Sequence, residues 1–351
     1  MKVVFVIGGL GFGGQERALS TLANLLVDRG HHVTIVCLFL TPVAFPLREG
    51  IKVVWPRIDR QKMGKIQYAF RSVRYLRNVI VRADAEVVVS FGDWYNSFTI
   101  ISLLGSSRRV VVSSRMGPEL RLGLVLDTAN AVLYRFAAKV MVQTKRAKEI
   151  FERRFSCERI FVVPNAVELY GGPKVVERQK VIISIGRLSR EKGHGMLLSA
   201  FSMLDAPSWR LVLVGDGPER ERLECLAIRL GIRERVEFLG SRQDIWGVLA
   251  TAEIFVLPSF YEGFPNALVE AMSVPVCCVA SDCVAGPREI ITHGETGFLF
   301  QRGNDMELAT VLGRIIKDDT LRACVAERGL IVRERYAPDR IAGEWIEALS
   351  A

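Results

Sequence analysis

The sequence predicts an α/β protein built from two Rossmann-like, doubly wound domains. Three observations support this. The chain has 351 residues, which is ample for two domains. Short apolar, β-rich runs alternate with helical stretches in both halves, as in sheets made of β-α-β units. That alternation lapses once, between residues 168 and 181, where a turn-rich, polar segment is typical of an interdomain linker.

The first half opens with the β-loop-α-β unit of such a sheet. A strand is predicted at 3–7, a glycine loop follows it, and a helix is predicted at 16–29, ending before Gly30. Further strands of this half are predicted at 32–39, 86–90, 109–113, 139–143 and 160–164. Those of the second half are predicted at 181–186, 209–215, 236–239, 254–257 and 276–280, and the chain beyond Asp305 is predicted to be mainly helical.

Composition limits the classes of partner. The net charge of +9 and the pI of about 9.3 indicate an anionic partner, which could be nucleic acid, an anionic membrane or a phosphorylated small molecule. Seven cysteines without a C-x-x-C pair are expected to be mostly buried, reduced thiols. No apolar run reaches the ~18 residues that a membrane-spanning helix needs.

The loop after the first strand, Gly9 to Gly14, matches the G-x-G-x-x-G pattern of dinucleotide sites. Such a site also needs a carboxylate at the end of the second strand to bind the ribose, and residues 39–42 supply none. The missing carboxylate therefore argues against an oxidoreductase. Glycines would still let backbone N–H groups approach a phosphate at the positive end of a helix.

Four features of the second half follow successive predicted strands. Gly186, Arg187 and Lys192 place two cations on one glycine-containing loop, where they could bind phosphate oxygens. Gly215 lies in a second turn at a strand end, a position where open α/β sheets bind ligands. The fourth feature, residues 282–297, is predicted to be a loop, a short helix and a turn.

The third feature is the run from Glu262 to Glu270. Pro265 suits the first turn of a helix, and the amides of residues 266–268 would then be free to point at an anion. The two carboxylates, separated by about two helical turns, could bind hydroxyl pairs on two sugar rings.

These motifs together resemble retaining glycosyltransferases of family 4, which have the GT-B fold, and the resemblance covers nearly the whole chain. It rests on the G-G-x-E loop at 13–16, the strand and Pro-Asn pair at 162–165, the G-R-L…K-G segment at 186–193, and E-x7-E at 262–270. The resemblance implies an acceptor-binding domain at 1–168 and a donor-binding domain at 175–337, facing across a cleft. The helix at 338–351 is expected to cross back onto the first domain.

The resemblance also implies roles for individual residues. Arg187 and Lys192 would neutralise the donor diphosphate, Glu262 would face hydroxyls of the transferred sugar, and Glu270 would bind the ribose hydroxyls. Gly14 would approach the phosphates from the first domain. The remaining donor-side residues are Gly186, Gly215, Arg242 near the base, and Phe264, Pro265, Asn266, Ala267 and Leu268, which would line the site through backbone groups.

Gly13 and Arg115 are assigned to the acceptor side. Many members of the family carry a histidine where this chain has Arg115, so the chain resembles a subgroup with a Ser-x-Arg-x-x-Pro pattern, and no catalytic histidine is assigned. His194 and His293 are predicted to be loop residues.

The resemblance implies chemistry without a metal or cofactor, and the sequence has no D-x-D motif. The two cations would stabilise the departing diphosphate. We expect a same-face, oxocarbenium-like transfer with retention, in which the departing phosphate helps to deprotonate the acceptor.

A basic stretch at 57–82 carries eight Lys or Arg residues and one acid, with apolar residues interleaved. It is typical of an amphipathic helix on an anionic membrane, although a solvated helix with its apolar side in the core would share the pattern. No nucleic-acid motif accompanies it. For a glycosyltransferase, an amphipathic helix on the membrane would predict an acceptor linked to lipid or polyprenyl diphosphate.

The sequence thus predicts a peripheral enzyme of the cytoplasmic membrane face. It would transfer a hexose or N-acetylhexosamine from a UDP-sugar in cell-envelope glycan synthesis. The alternatives are a GT-B epimerase resembling UDP-N-acetylglucosamine 2-epimerase and a non-catalytic subunit that binds a sugar nucleotide.

Overall fold

The computed structural model describes residues 1–56, 63–155, 159–172, 177–242 and 244–350. The chain forms two compact units. Unit 1 contains Met1–Val167 and Pro338–Ala351, and unit 2 contains Glu168–Ala337. The predicted linker begins at this boundary but is shorter than expected, because a strand already starts at Gln179.

Unit 1 contains a parallel sheet of seven strands among the described residues. The strands are β1 (Lys2–Ile7), β2 (His32–Cys37), β3 (Lys52–Val54), β4 (Val87–Phe91), β5 (Arg109–Ser113), β6 (Lys139–Val142) and β7 (Ile160–Val162). Their spatial order is β3-β2-β1-β4-β5-β6-β7. The order reverses between β1 and β4, which is where doubly wound sheets open a crevice at the carboxyl ends of their strands.

The helices of unit 1 flank this sheet. They are α1 (Gly14–Asp28), α2 (Lys65–Arg82), α3 (Asp93–Leu103), α4 (Leu124–Leu133) and α5 (Lys145–Phe155), and a further helix at Pro338–Ser350 is described below as α14. The central strands β1 and β4 consist almost wholly of buried apolar residues because helices cover both faces of the sheet. Leu76 and Ile80 of α2 pack into this core.

Unit 2 repeats the architecture with six parallel strands among its described residues. They are β8 (Gln179–Ile185), β9 (Arg210–Val214), β10 (Val236–Gly240), β11 (Ala252–Leu257), β12 (Cys277–Ser281) and β13 (Phe298–Phe300). Their order is β10-β9-β8-β11-β12-β13, so the reversal lies between β8 and β11, which pair directly.

The helices of unit 2 fill the connections between its strands. They are α6 (His194–Ser202), α7 (Arg220–Arg229), α8 (Trp246–Thr251), α9 (Asn266–Met272), α10 (Pro287–Ile290), α11 (Asp305–Lys317), α12 (Asp319–Gly329) and α13 (Val332–Arg335). The last helix, α14 (Pro338–Ser350), returns to unit 1, where Trp345 is fully buried. Its indole nitrogen donates to the carbonyl oxygen of Pro164 at 3.2 Å.

Two strands escaped the sequence prediction. Each of β3 and β13 has three residues, so its apolar run is short; β7 is equally short but was predicted because the apolar run continues past the strand to residue 163. The helical prediction beyond Asp305 is confirmed by α11 to α14.

Most of the described cysteines are buried, as expected, and Cys157 lies outside the described residues. Cys37, Cys277, Cys278 and Cys283 are buried free thiols, whereas Cys225 and Cys324 are exposed on helices. Burial raises the pKa of the Cys283 thiol to about 12, so it stays protonated at neutral pH.

Candidate functional site

The two most specific motifs of unit 2 lie on neighbouring strands. The loop with Arg187 and Lys192 follows β8, and the loop with Glu262 follows β11. Because β8 and β11 are parallel and paired, their carboxyl ends lie at the same edge of the sheet, at its point of reversal. Ligands of open α/β sheets bind in the crevice at this position.

Two glycines let the loops at this edge approach one another closely. Gly193 has a φ of +69°, and a Cβ there would lie 2.0 Å from the carbonyl oxygen of Pro258. Gly215, with a φ of +139°, would place a Cβ 1.9 Å from the carbonyl oxygen of Gly186. Any side chain at either position would force the loops apart, so the glycines of these motifs position the site.

A partly buried ion pair joins the two motif loops. Lys192 Nζ donates to Glu262 Oε1 at 2.8 Å, and the hydroxyl of Ser259 donates to the same oxygen at 2.6 Å. Glu262 is 8% exposed and Ser259 is fully buried. The amide of Phe260 also donates to the carbonyl of Glu191 at 2.8 Å, so backbone and side chains together fix the β11 loop against the β8 loop.

Two further residues at this edge were missed by the sequence prediction. Ser259 holds the Glu262 carboxylate, and nothing in its local sequence distinguishes it from other loop serines. Arg302 follows β13, and its guanidinium lies 5.4 Å from the ring centre of Tyr261 and donates to the carbonyl of Phe260 at 3.5 Å. Arg302 is therefore a third cation at the β11 loop, brought there by the short strand that the sequence did not reveal.

The turn before α9 differs from the prediction. Pro265 does not lie in the first turn but precedes the helix, with φ and ψ of −82° and 75°. This is close to the geometry of an inverse γ-turn, and the amide of Asn266 accordingly donates to the carbonyl of Phe264 at 2.9 Å. The amide of Leu268 donates to Pro265 at 2.9 Å. The expectation of three free amides at residues 266–268 is thus wrong for Asn266 and Leu268, which are bonded within the turn.

The second carboxylate of the E-x7-E element is Glu270, in the middle of α9. It is buried, with 4% of its surface exposed. Glu262 and Glu270 therefore belong to consecutive segments after the same strand, one in the loop and one in the helix.

The remaining predicted donor-side residues occupy the ends of three strands. Arg187 is exposed directly after β8 and Gly186. Gly215 follows β9, and Arg242 is exposed in the loop after β10. After β12, Asp282 accepts a hydrogen bond from Arg288 Nε at 3.0 Å, which ties the short α10 to its strand end.

His194 is the first residue of α6 and is buried, so its prediction as a loop residue is wrong. Glycine at 193 hid this start, because an αL residue is more typical of a helix end than of the position before a helix. Burial, together with a smaller effect of the nearby Lys192 charge, lowers the pKa of His194 to about 4, and the charge of Glu191 partly opposes this change. The imidazole is therefore neutral at pH 7.

In unit 1, the glycine loop after β1 leads directly into α1. Gly13 precedes the helix in an extended conformation and Gly14 is its first residue. The side-chain amide of Gln15 donates to the carbonyl of Phe91 at the end of β4, so the G-G-x-E loop is joined to the strand across the point of reversal.

Arg115 lies after β5, where its buried guanidinium contacts two aromatic rings that stack on each other. Its guanidinium carbon is 4.4 Å from the ring centre of Phe91 and 4.8 Å from that of Trp345. Nη1 donates to Asn165 Oδ1 at 2.7 Å, whereas Nε and Nη2 are buried without a hydrogen-bond partner. Burial lowers the pKa of Arg115 to about 9, although the charge of Asp93 opposes the change. The Pro-Asn pair of the sequence motif thus contacts both Arg115 and α14.

Asp93, the first residue of α3, is buried near Arg115. Its carboxylate accepts hydrogen bonds from the amides of Arg115 at 2.9 Å and Met116 at 3.3 Å. Burial raises the pKa of Asp93, and these hydrogen bonds oppose the rise. The pair of Asp93 and Arg115 therefore fixes the loop after β5.

The basic stretch is partly described. Residues 57–62 and the side chain of Lys65 lie outside the described residues, so Arg57, Arg60, Lys62 and Lys65 of that prediction are not assessed. Helix α2 carries four arginines and no acid, with Ile66 and Phe70 exposed. In the described part of the chain, none of the helices combines the length and apolarity needed to cross a bilayer.

Comparison with known proteins resolves the family. The model for "Glycosyltransferase Family 4" matches residues 12–170, and the model for "Glycosyl transferases group 1" matches residues 172–330. The chain belongs to glycosyltransferase family 4. The predicted family and the α/β GT-B fold class are thereby confirmed.

Relatives of this glycosyltransferase match over essentially its full length. An α-1,4-N-acetyl-D-galactosaminyltransferase of Campylobacter jejuni, named for a GalNAc-α-(1→4)-GalNAc-α-(1→3)-diNAcBac-PP-undecaprenol acceptor, is 26% identical over 100% of this chain and 98% of its own. The amylovoran biosynthesis glycosyltransferase AmsD of Erwinia amylovora is 24% identical over 99% of both chains.

Solved structures share the fold. The chain is similar to HepE of Anabaena in complex with UDP-glucose, with a TM-score of 0.84 and 23% identity over 100% of this chain and 99% of that one. It is also similar to sucrose-phosphate synthase from Thermosynechococcus elongatus, with a TM-score of 0.83 and 19% identity over 99% and 98% of the two chains.

Proposed function

We propose that this glycosyltransferase transfers a hexose or N-acetylhexosamine from a UDP-sugar to a lipid-linked glycan, with retention and without a metal or cofactor. The observation that carries the proposal is the Lys192–Glu262 pair at the point of sheet reversal, with Arg187 on the same loop as Lys192. The C. jejuni relative is named for an undecaprenol-linked acceptor, and HepE was crystallised with UDP-glucose.

The mechanism that we propose uses the two cations as the electrostatic stabiliser of the leaving group. Arg187 and Lys192 bind the diphosphate, whose negative charge grows as the bond to the anomeric carbon breaks. Glu262 binds hydroxyls of the transferred sugar, and Glu270 binds the ribose. The acceptor hydroxyl attacks from the face that the diphosphate leaves, and its proton passes to the departing phosphate oxygen.

The pairing of Lys192 with Glu262 has a specific value in this mechanism. A lysine held by one carboxylate oxygen keeps two of its N–H donors for other acceptors, so its position is fixed before the donor binds. Preorganised charge of this kind costs no reorganisation when the transition state forms. Glu262 retains its second oxygen, Oε2, for a sugar hydroxyl.

We further propose that the enzyme is peripheral at the cytoplasmic face of the membrane, with contact through residues 57–82. The arginines of α2 and its exposed Ile66 and Phe70 support an anionic, partly inserted contact. Co-sedimentation with vesicles containing anionic lipid, at low and high salt, tests this. Binding that does not depend on anionic lipid would contradict it.

The donor assignment is tested by a thermal-shift panel with UDP, GDP, ADP and NAD in EDTA. We expect UDP, and not the other nucleotides, to raise the Tm, and we expect Glu270→Ala to reduce that rise. Glu234→Ala is the matched control, because Glu234 is exposed at the opposite edge of the sheet, before β10. No response to UDP, or a response to NAD, would overturn the donor assignment.

Product analysis separates transfer from its alternatives. An epimerase would release an altered UDP-sugar without an acceptor, and a non-catalytic subunit would release nothing. The anomeric coupling constant of the transferred sugar reports retention. A sugar trapped covalently on Glu262 would contradict the same-face mechanism, since it would make the carboxylate a nucleophile.

A further inference from the structure

An apolar groove of about 1050 Å³ opens at the carboxyl edge of the unit 1 sheet. Leu38 and Phe39 after β2 form its floor, Trp94 and Phe98 of α3 form one wall, and Leu124 and Val125 of α4 form the other. The groove thus lies at the edge where a doubly wound domain binds its ligand. In the proposed function, unit 1 is the unit that binds the acceptor.

The lining of the groove is unsuited to a sugar. Among the described residues that line it, none is charged, and the side-chain polar groups are the hydroxyls of Ser72, Tyr68 and Tyr95 and the indole N–H of Trp94. The hydroxyl of Tyr68 already donates to the carbonyl of Leu38 at 3.0 Å. A carbohydrate needs several polar partners for its hydroxyls, whereas this surface offers hydrocarbon and aromatic rings.

Three of the apolar side chains on the groove walls are exposed to solvent. Leu124 is 84% exposed and Val125 is 82% exposed, and they are consecutive at the start of α4, while Trp94 is about half exposed. On the floor, the rings of Phe39 and Tyr68 are parallel, with a centroid distance of 6.2 Å and an interplanar angle of 5°. A concave and contiguous apolar surface of this kind is characteristic of a binding site.

Positive charge lies at the rim. Arg71 of α2 is exposed, and its Nη1 lies 3.4 Å from the sulfur of Met63, which lines the groove. Arg74 follows one turn later, and α2 carries no acidic residue. The groove therefore joins a hydrocarbon-lined interior to a cationic border, which matches an amphiphile with an anionic head and an apolar chain.

We infer that this groove binds the hydrocarbon chain of a polyprenyl-phosphate-type acceptor, at the part of the chain adjacent to the phosphate head. The inference rests on the proposed function, in which the acceptor is lipid-linked, and adds the residues that hold its chain. A concave groove with walls on two helices can enclose a single hydrocarbon chain.

The test uses the full-length chain with farnesyl diphosphate as the probe, below the concentration at which it forms micelles. Binding is measured by the fluorescence of Trp94, with Trp94→Phe to show that the signal arises in the groove. We expect binding at least tenfold tighter than that of inorganic diphosphate. We also expect the double variant Leu124→Gln, Val125→Gln to weaken it about tenfold, because the chain then loses apolar contact on one wall.

The matched control is Ile228→Gln, Met306→Gln, a pair of exposed apolar residues on helices of unit 2. It should bind farnesyl diphosphate like the wild type. Because all four substituted side chains are exposed, both double variants are expected to fold, and unfolding curves check this.

Three results would overturn the inference. They are equal affinity for farnesyl diphosphate and diphosphate, wild-type binding by the Leu124→Gln, Val125→Gln variant, and an equal Trp94 response to phosphatidylglycerol vesicles that contain no prenyl lipid. The UDP thermal shift, measured on the same proteins, separates the two proposals. A protein that responds to UDP but not to farnesyl diphosphate refutes only the groove, and the reverse refutes only the donor site.

Discussion

Lys192 has two roles that a pair of substitutions can separate. Its ammonium neutralises the buried Glu262 carboxylate at 2.8 Å, and in the proposed mechanism it also stabilises the leaving diphosphate. Replacing it with methionine preserves the aliphatic packing and removes the charge. Glu262 would then keep only the Ser259 hydroxyl among the contacts described for its Oε1 atom.

The magnitude follows from the burial of the two partners. Removing one member of a fully buried ion pair costs about 3–5 kcal/mol. The side chain of Lys192 is 28% exposed and that of Glu262 is 7% exposed, so water relieves part of this penalty. We expect Lys192→Met to lower the free energy of unfolding by about 2–3 kcal/mol, and to reduce kcat by about 10²–10³ if the diphosphate loses a preorganised cation.

The double variant Lys192→Met, Glu262→Gln distinguishes the roles. Without the unpaired carboxylate, its stability should return to within about 1 kcal/mol of the wild type, whereas its activity should remain lost. Urea unfolding and initial-rate measurements, with UDP affinity by calorimetry, follow both quantities. Recovery of activity together with stability would show that Lys192 acts only on Glu262, and the mechanism would then lose its main cation.

Three further predictions concern a glycine, a histidine and a cation–ring pair. Gly215→Ala should lower the free energy of unfolding by more than about 3 kcal/mol, because a Cβ there meets the backbone at 1.9 Å. Gly231→Ala, at a φ of +68° with open space around it, should lower that free energy by about 1–2 kcal/mol. Equal losses for the two variants in urea unfolding would argue against the close approach. His194 takes up a proton near pH 6.5 in the unfolded chain but only near pH 4 in the native state. The free energy of unfolding should therefore fall by about 3 kcal/mol as the pH is lowered from 6.5 to 4. His194→Gln should remove that fall, and an unchanged pH profile would refute the assignment. Arg115→Met and Trp345→Phe should be coupled by about 1–2 kcal/mol in a double-mutant cycle of unfolding, since they form one stacked pair; additive effects would contradict the pairing.

The sequence predicted the long elements well because their patterns are strong. Continuous apolar runs such as β4 and β12 are bounded by turn residues, and parallel strands buried on both faces have this signature. The same reasoning failed for β3 and β13, whose three residues become strands only because a neighbouring strand offers hydrogen-bond partners. Such pairing is a tertiary effect that no local window contains.

The residues of the candidate site were likewise predicted only in part. Arg187, Lys192 and Glu262 were found because their spacing after strands is distinctive. The contact of Ser259 with Glu262 and the position of Arg302 depend on how the loops close over one another, which the sequence does not encode locally. The turn at Pro265 was misjudged because proline is compatible both with a first helical turn and with an inverse γ-turn.

The return of α14 to unit 1 has a consequence for biosynthesis. Lys139 Nζ donates to the carbonyl of Ala348 at 2.7 Å, and Arg109 Nη2 donates to that of Leu349 at 3.1 Å, across 209 and 240 positions of chain. A ribosome therefore completes all of unit 2 before it delivers the segment that closes the core around Trp345. Unit 2 can fold as a contiguous domain during synthesis, whereas unit 1 must wait with an uncovered apolar face, and chaperone demand should fall on the half that is made first.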